Sequence, residues 1–147
     1  MFDPGREMFN DALQIKAGSI AQHVARAKEE FEKDSSTFAD DISRYDAAIL
    51  NIIRAFEAAA SVGQLIIFHA KLGVPRNTDH VFDLLLSRCG LTTLMPTMSL
   101  LADYCHKALH DDQVLTPLET SAVITDHLDV LIQFAEAMLA NDLTSPP

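Results

Sequence analysis

The feature that most constrains the fold is a long apolar stretch between Ala39 and Lys71. Apolar side chains recur there at spacings of three and four residues, which is the period of an α-helix. The other side of the same helix is also apolar, with Ala48, Ala55 and Ala58 among its residues. A helix that is apolar on nearly all sides must be covered on several sides. The sequence therefore predicts a central, buried helix, and the small residues of AFEAAASVGQ predict close approach of a neighbouring element.

Four further helical segments accompany the central one. Residues 4–33 carry a single apolar stripe with charged residues opposite. Residues 77–90 form a shorter segment, which begins at a capping residue and ends at a glycine. A fourth helix is predicted over residues 96–110, with proline in its first turn. The last, over residues 116–141, begins with the capping box Thr116-Pro-Leu-Glu119. We therefore predict an all-α fold, an antiparallel bundle of about five helices, in a single domain spanning residues 1–147.

The charge and the cysteines restrict the classes of function. A formal net charge of −10 at pH 7 disfavours long-range attraction to nucleic acid or to an anionic membrane. It fits a basic protein partner, RNA bound through a local patch, or simply good solubility. Cys89 and Cys105 make no disulfide framework, the chain does not open with a signal peptide, and the apolar run at residues 62–70 is too short to span a bilayer. We expect a cytoplasmic protein without a membrane anchor.

Histidines concentrate in the stretch DYCHKALHDDQ, residues 103–113, at the end of the fourth helix. Asp103, His106 and His110 fall on one helix face, where two imidazoles and a carboxylate could hold a transition metal. Such pairs also arise by chance, and the helix dipole favours histidine at a C-terminus. Without a third strong ligand motif we expect no metal. Cys105 and His106 diverge by about 100° on a helix, so we expect Cys105 to be a small buried residue rather than a nucleophile.

The residues from RYDAAILNII to LLLSRCGL, 44–91, resemble the HepT-like group of the HEPN superfamily, which are small helical ribonuclease toxins. In that group a tyrosine–aspartate pair opens the long central helix, a leucine–asparagine pair recurs within it, and leucine–glycine–hydrophobic–proline ends it. The corresponding residues here are Tyr45-Asp46, Leu50-Asn51 and the LGVP of residues 72–75. The similarity extends over roughly residues 40–140.

The active motif of that group is arginine, four spacers, histidine, one spacer and tyrosine. This chain retains the histidine as His110, and it also retains Asp111 and Gln113 from the usual His-Asp-Tyr-Gln ending. The arginine position holds Cys105, and the tyrosine position holds Asp112. The resemblance implies RNA cleavage that needs neither a metal nor another cofactor, but two of the three motif residues are replaced.

These replacements bear directly on the chemistry. Metal-independent RNA cleavage needs a base for the 2′-hydroxyl proton and a cation for the charge of the pentacoordinate phosphate. Cys105 supplies no fixed charge, Asp112 adds a negative one, and loss of one such contact costs roughly a hundredfold to a thousandfold in rate. A protonated His106, or Lys107 from the next helical position, could substitute for the arginine. The candidate catalytic residues are therefore His110 and His106, and Cys105, Lys107 and Asp112 are candidate binding residues of an attenuated or inactive ribonuclease.

Two classes of function stay open. The resemblance implies a toxin paired with a nucleotidyltransferase antitoxin, which in that family adds nucleotides to the motif tyrosine, an acceptor that Asp112 does not replace. The alternative is a non-catalytic, homodimeric protein-binding module derived from the same fold, in which the negative charge of Asp112 imitates a modified, silenced state. In either class we expect a twofold homodimer, because the family places the motif at a dimer cleft and the central helix needs partners on all sides.

Three other polar residues lie within apolar helices. We expect Arg54, near Glu57, either to form a buried ion pair or to line the cleft. His69 and His127 are expected to be packed or rim histidines rather than ligands.

Overall fold

The structure of the chain is a computed structural model, and it describes residues 3–34, 36–110 and 115–143. These residues form helices and turns, without strands. The helices are α1 (Pro4–Glu32), α2 (Ile42–Ala70), α3 (Thr78–Arg88), α4 (Met95–Leu109), α5 (Pro117–Ala122) and α6 (Val130–Ala140). Short 3-10 turns, Phe38–Asp40 and Thr92–Leu94, precede α2 and α4, and a π-helical turn, Val123–His127, separates α5 from α6. The predicted all-α bundle is confirmed for this part of the chain.

The helix α2 is the centre of the bundle. It packs against α1, α3, α4 and α6, so the predicted central helix is confirmed. Its neighbour α1 runs antiparallel to it, since His23 contacts Asn51 at 3.0 Å and Lys16 donates to the Ser61 hydroxyl at 2.9 Å. The buried side of α2 contributes both large and small residues to the core: Ala48, Ile52, Ile53, Ala55, Phe56, Ala59, Val62, Gly63, Ile66 and Ile67.

The close approach predicted for the small residues of α2 occurs at Gly63, where α3 crosses the helix. A β-carbon built on Gly63 would lie 2.5 Å from Val81 Cγ1 and 3.2 Å from Leu85 Cδ1. Real β-carbons essentially never come so close to another heavy atom. Glycine therefore allows the side chains of α3 to reach the α2 backbone.

By length and composition alone, α2 could also cross a membrane. The apolar run at residues 62–70 is too short to span a bilayer, but the complete helix of 29 residues is long and apolar enough to do so. The core helix of a bundle has the same length and composition, and 44% of the most apolar part of α2 is buried against the other helices.

Arg44 fixes the start of α2 against the end of α1. Its guanidinium donates to the backbone carbonyl oxygens of Glu30 (2.6 and 3.0 Å), Phe31 (3.4 Å) and Asp34 (3.1 Å). The last turn of α1 has no basic residue of its own, so Arg44 supplies the positive charge that a helix C-terminus favours. This contact holds the first turn of α2, which carries Tyr45, in place.

Two predicted helix boundaries differ from the structure. The central helix begins at Ile42 rather than near residue 39, because Asp41 caps it by accepting the Arg44 N–H at 3.2 Å. The predicted continuous helix over residues 116–141 is wrong in its middle. There the Leu128 N–H donates to the Val123 carbonyl oxygen at 2.8 Å, a five-residue span that marks the π-helical turn.

Candidate active site at the end of α4

His106 and His110 lie together at the C-terminal end of α4. Their ring centroids are 4.1 Å apart, and the ring planes are inclined by 46°. Both side chains are exposed. His110 is the first residue after the helix, and its backbone N–H donates to the Lys107 carbonyl oxygen at 3.2 Å. The spacing of four residues thus brings two accessible imidazoles into contact at the surface.

Cys105, which the family resemblance places at the motif arginine, faces the interior. Only 4% of its surface is exposed. Burial raises the pKa of the thiol to about 12, and the negative charge of Glu57 on α2 contributes to the same shift. A thiol kept neutral in this way is neither a strong nucleophile nor a metal ligand. The expectation of a small buried residue is confirmed, and position 105 presents no cation beside the histidines.

Lys107 is paired with the next helix. Its ε-ammonium group donates to Glu119 Oε1 at 2.9 Å. Glu119 lies in the first turn of α5, where Thr116 Oγ1 caps the helix by accepting the Glu119 N–H at 3.1 Å. The pair is partly exposed, so its contribution to stability is modest, about 0–1 kcal/mol. The cation that could have replaced the arginine is therefore engaged with α5.

A buried threonine joins three helices beside this cation. The Tyr104 hydroxyl of α4 lies 2.9 Å from Thr120 Oγ1, and the Tyr45 hydroxyl of α2 lies 3.2 Å from the same atom. Thr120 is fully buried in α5, and Tyr104 is 2% exposed. Burial raises the pKa of the Tyr104 phenol well above its usual value, although the hydrogen bond to Thr120 partly opposes the shift. The hydroxyls of both tyrosines thus point into the protein.

A groove of about 460 Å³ opens between α4 and the α5 segment. Its walls carry both charged and apolar side chains, contributed by α4 (Leu100, Asp103, Lys107), by α5 (Glu119) and by the π-helical turn (Val123, His127). The groove adjoins the π-helical turn, a kind of element that is often found at functional sites. Among the described residues, its lining includes Lys107 but neither His106 nor His110. His127 is a half-buried residue of its wall, in agreement with the predicted rim position.

The described residues assemble no metal centre. Across residues 3–34, 36–110 and 115–143, no group of three or more His, Cys, Asp or Glu side chains is arranged to hold a metal ion. Asp103 lines the groove but does not complete a ligand set with the two histidines. The candidate residue Asp112, together with Asp111 and Gln113, lies outside the described residues.

The structure also tests the predictions for Arg54 and His69, two polar residues within apolar helices. Arg54 is exposed, so of its two predicted roles the buried ion pair with Glu57 is wrong, whereas a position lining the cleft stays a prediction. His69 is half-buried, and its ring stacks on that of Phe9 with centroids 4.0 Å apart and planes 8° from parallel. The expectation of a packed histidine is confirmed for His69.

Comparison with known proteins decides the family. Residues 20–138 match the family described as ribonuclease HepT-like. The chain belongs to this family. The HepT-like chain is 27% identical, over 132 residues, to the mRNA nuclease HepT of Shewanella oneidensis, covering 89% of this chain and 98% of that protein. The resemblance to HepT-like HEPN toxins is thereby confirmed.

Solved structures of toxin–antitoxin complexes share the fold of the HepT-like chain. One is a crystal structure of a toxin–antitoxin with AMP-PNP, with a TM-score of 0.82, 26% identity, and coverage of 89% of this chain and 99% of that chain. Another is the tri-AMPylated HEPN toxin of Shewanella oneidensis in complex with MNT antitoxin, with a TM-score of 0.82, 26% identity, and coverage of 89% and 98%.

Sequence reasoning missed the interactions that hold α5 in place. Glu119 was recognised only as a capping residue, although its carboxylate binds Lys107. Thr120 was not singled out, although its hydroxyl binds that of Tyr104. A signal for Thr120 does exist: it precedes the apolar residues Val123 and Ile124 by three and four positions, which places it on the buried face of its helix. Its two tyrosine partners are distant in the sequence, and no local pattern connects them to it.

Proposed function

We propose that this HepT-like chain is the toxin-derived member of a toxin–antitoxin pair and that its RNA cleavage is attenuated or absent. The burial of Cys105 carries the proposal. A motif arginine would place a fixed positive charge near His110, whereas the Cys105 thiol is neutral and directed into the core. Without that charge, the phosphate of the transition state loses a stabilising contact that is worth roughly a hundredfold to a thousandfold in rate.

The neighbouring cations replace this contact incompletely. Lys107 is paired with Glu119, so using it at the phosphate would require that ion pair to open. His106 is better placed, because its ring is exposed and touches that of His110. An imidazole, however, carries no fixed charge, and it lacks the two-pronged geometry of a guanidinium. His110 and His106 remain the catalytic candidates, with an activity well below that of a complete motif.

The partner of the chain, in this proposal, is an antitoxin of the MNT nucleotidyltransferase class. The proposal is supported by the related HEPN toxin that forms a complex with MNT antitoxin and by the net charge of −10, which suits a basic protein surface better than RNA. The pair would act in the cytoplasm, and the chain would use no cofactor or metal ion in its reaction.

The chain is further proposed to be a homodimer with one domain per protomer. Apolar side chains of α2 and α4 remain exposed, among them Leu50 (45%) and Leu109 (62%). A symmetric partner would cover such residues and bring two copies of the histidine pair toward one cleft. Light scattering at micromolar concentration should therefore give about twice the chain mass of 16.2 kDa. A particle of the chain mass would contradict the dimer.

The proposed loss of cleavage is tested by restoring the motif. Purified chain should leave single-stranded RNA intact, and its expression should not arrest growth. The double change Cys105→Arg with Asp112→Tyr should produce measurable cleavage, which a third change, His110→Ala, should abolish. The matched control is Cys89→Arg with Asp112→Tyr, which adds the same side chains but leaves position 105 unchanged. This control should remain inactive.

Two results would change the proposal. Cleavage by the unaltered chain, lost on His110→Ala, would contradict it, and comparison of His106→Ala with Lys107→Ala would identify the replacement cation. Failure of the restored, folded chain to cleave RNA, with binding to its antitoxin retained, would favour the alternative. That alternative is a homodimeric binding module, and the buried, uncharged position 105 supports it as well.

A further inference from the structure

We propose that the nucleotidyltransferase partner controls this chain by binding alone and adds no nucleotide to a tyrosine. This inference rests on the proposed function, since it assumes an MNT-class partner. It departs from the related HEPN toxin, which is tri-AMPylated in its complex with MNT antitoxin. The reasons lie in the number of tyrosines in the chain and in the positions of their hydroxyl groups.

The 147-residue sequence contains two tyrosines, Tyr45 and Tyr104. Neither stands at the motif position, which Asp112 occupies. A tyrosine-directed transferase therefore finds its usual acceptor missing, and the modification would have to move to one of these two residues.

Both remaining hydroxyls are hydrogen-bonded to one buried oxygen atom. They meet at Thr120 Oγ1, at 3.2 Å from Tyr45 and 2.9 Å from Tyr104, and Thr120 is fully buried. Tyr104 is itself buried, and Tyr45 is half-buried with its ring against that of Phe38, at a centroid distance of 5.5 Å. Presenting the Tyr104 oxygen to another protein would require α5 to separate from α4, and the Tyr45 oxygen would have to leave its hydrogen bond to Thr120.

Transfer of an adenylyl group to a tyrosine needs an accessible hydroxyl oxygen, and these hydrogen bonds restrict that access. An acceptor oxygen attacks the α-phosphorus of ATP, the new O–P bond forms, the bond to pyrophosphate breaks, and the hydroxyl proton passes to a base. The oxygen must be accessible and aligned with the leaving group. The raised pKa of the buried Tyr104 phenol further disfavours its nucleophilic anion.

Asp112 offers no lasting alternative. A carboxylate that attacked the α-phosphorus would also release pyrophosphate, but the product would be a mixed anhydride of aspartate and AMP. Water cleaves such an anhydride back to the carboxylate and AMP, so the chain would return to its unmodified form. A durable covalent mark at this position would require a hydroxyl side chain.

The test uses the full chain co-expressed with a nucleotidyltransferase of the MNT class. The complex is purified, incubated with Mg²⁺ and ATP, and analysed by size exclusion and by intact mass. We expect a complex that survives chromatography and a chain that keeps its unmodified mass. The matched variant Asp112→Tyr restores the acceptor, and any adenylyl group it gains should map to residue 112.

Each outcome bears on the inference. An adenylylated wild-type chain, at any residue, would overturn it while leaving the partnership intact. An unmodified wild-type chain beside a modified Asp112→Tyr chain would support it fully, and two unmodified chains in stable complexes would support control by binding. Absence of a complex with either chain would overturn the proposed partner itself, a failure distinct from that of the acceptor.

Discussion

Thr120→Val isolates the hydrogen bonds that join α2, α4 and α5. Valine has nearly the shape of threonine but can neither donate nor accept, so the change removes the Oγ1 atom shared by Tyr45 and Tyr104. Because Thr120 is fully buried, no water enters in its place without rearrangement. The helix contacts of α5 are otherwise retained.

The expected loss follows from the burial of the two partners. A buried hydroxyl left without a hydrogen bond costs about 1–3 kcal/mol, and this applies to Tyr104. Tyr45 is half-buried and can turn toward water, so its loss is about 1 kcal/mol or less. The added methyl group of valine offsets part of the sum. We expect the free energy of unfolding to fall by about 2 kcal/mol, which lowers the midpoint temperature by about 4–8 °C in a domain of this size.

The assay is urea denaturation at one fixed protein concentration, because a dimer would make the midpoint depend on concentration. Tyr104→Phe is measured alone and combined with Thr120→Val. If the two groups interact, the double variant should lose clearly less than the sum of the single losses, since it leaves no orphaned buried hydroxyl. Thr125→Val, at an exposed threonine, serves as the control. A loss below about 0.5 kcal/mol in Thr120→Val, or strictly additive losses, would refute this account of the shared hydrogen bonds.

Two further changes have expected signs. Gly63→Ala should destabilise the chain by about 1 kcal/mol despite the better helix propensity of alanine, because its β-carbon would overlap Val81. The control Gly18→Ala, which has open space around it, should stabilise the chain by up to about 1 kcal/mol. Equal effects of the two changes in thermal denaturation would contradict the close approach of α3 to Gly63. Arg44→Met should lower the free energy of unfolding in urea by about 2 kcal/mol, because it removes the donors to the last carbonyl oxygens of α1. A decrease no larger than that for an ordinary surface substitution would contradict this capping role.

The sequence predicted the elements whose residues are close together along the chain. The apolar stripe of residues 4–33 and the cap at Thr116 are local patterns, and both correspond to helices in the structure. The start of α2 was misplaced by about one turn because Asp41, which caps it, follows a short 3-10 turn with its own buried residue, Phe38. Periodicity alone does not separate such a turn from the helix that follows it.

The candidate site divides in the same way. The contact between His106 and His110 follows from their spacing on one helix, so sequence reasoning found it. The pairing of Lys107 with Glu119 joins two helices, and nothing in either segment alone indicates it. For Arg54 the sequence left a buried ion pair and a cleft position open, because an apolar helix predicts burial on average and does not show which turns reach solvent.

The surroundings of Cys105 bear on whether an arginine could function at this position. Glu57 lies near enough to influence the Cys105 pKa, so a carboxylate is available to a guanidinium at the same position. The β-carbon of residue 105 is buried, but the long arginine side chain extends its charge toward the surface while its methylene groups stay packed. Glu57 would then orient the guanidinium beside the exposed rings of His106 and His110. Cys105→Arg should therefore remain folded, and replacing Glu57 by glutamine in the restored chain should lower RNA cleavage without unfolding it. A restored chain that cleaves RNA equally well with glutamine at position 57 would show that the carboxylate has no part in placing the cation.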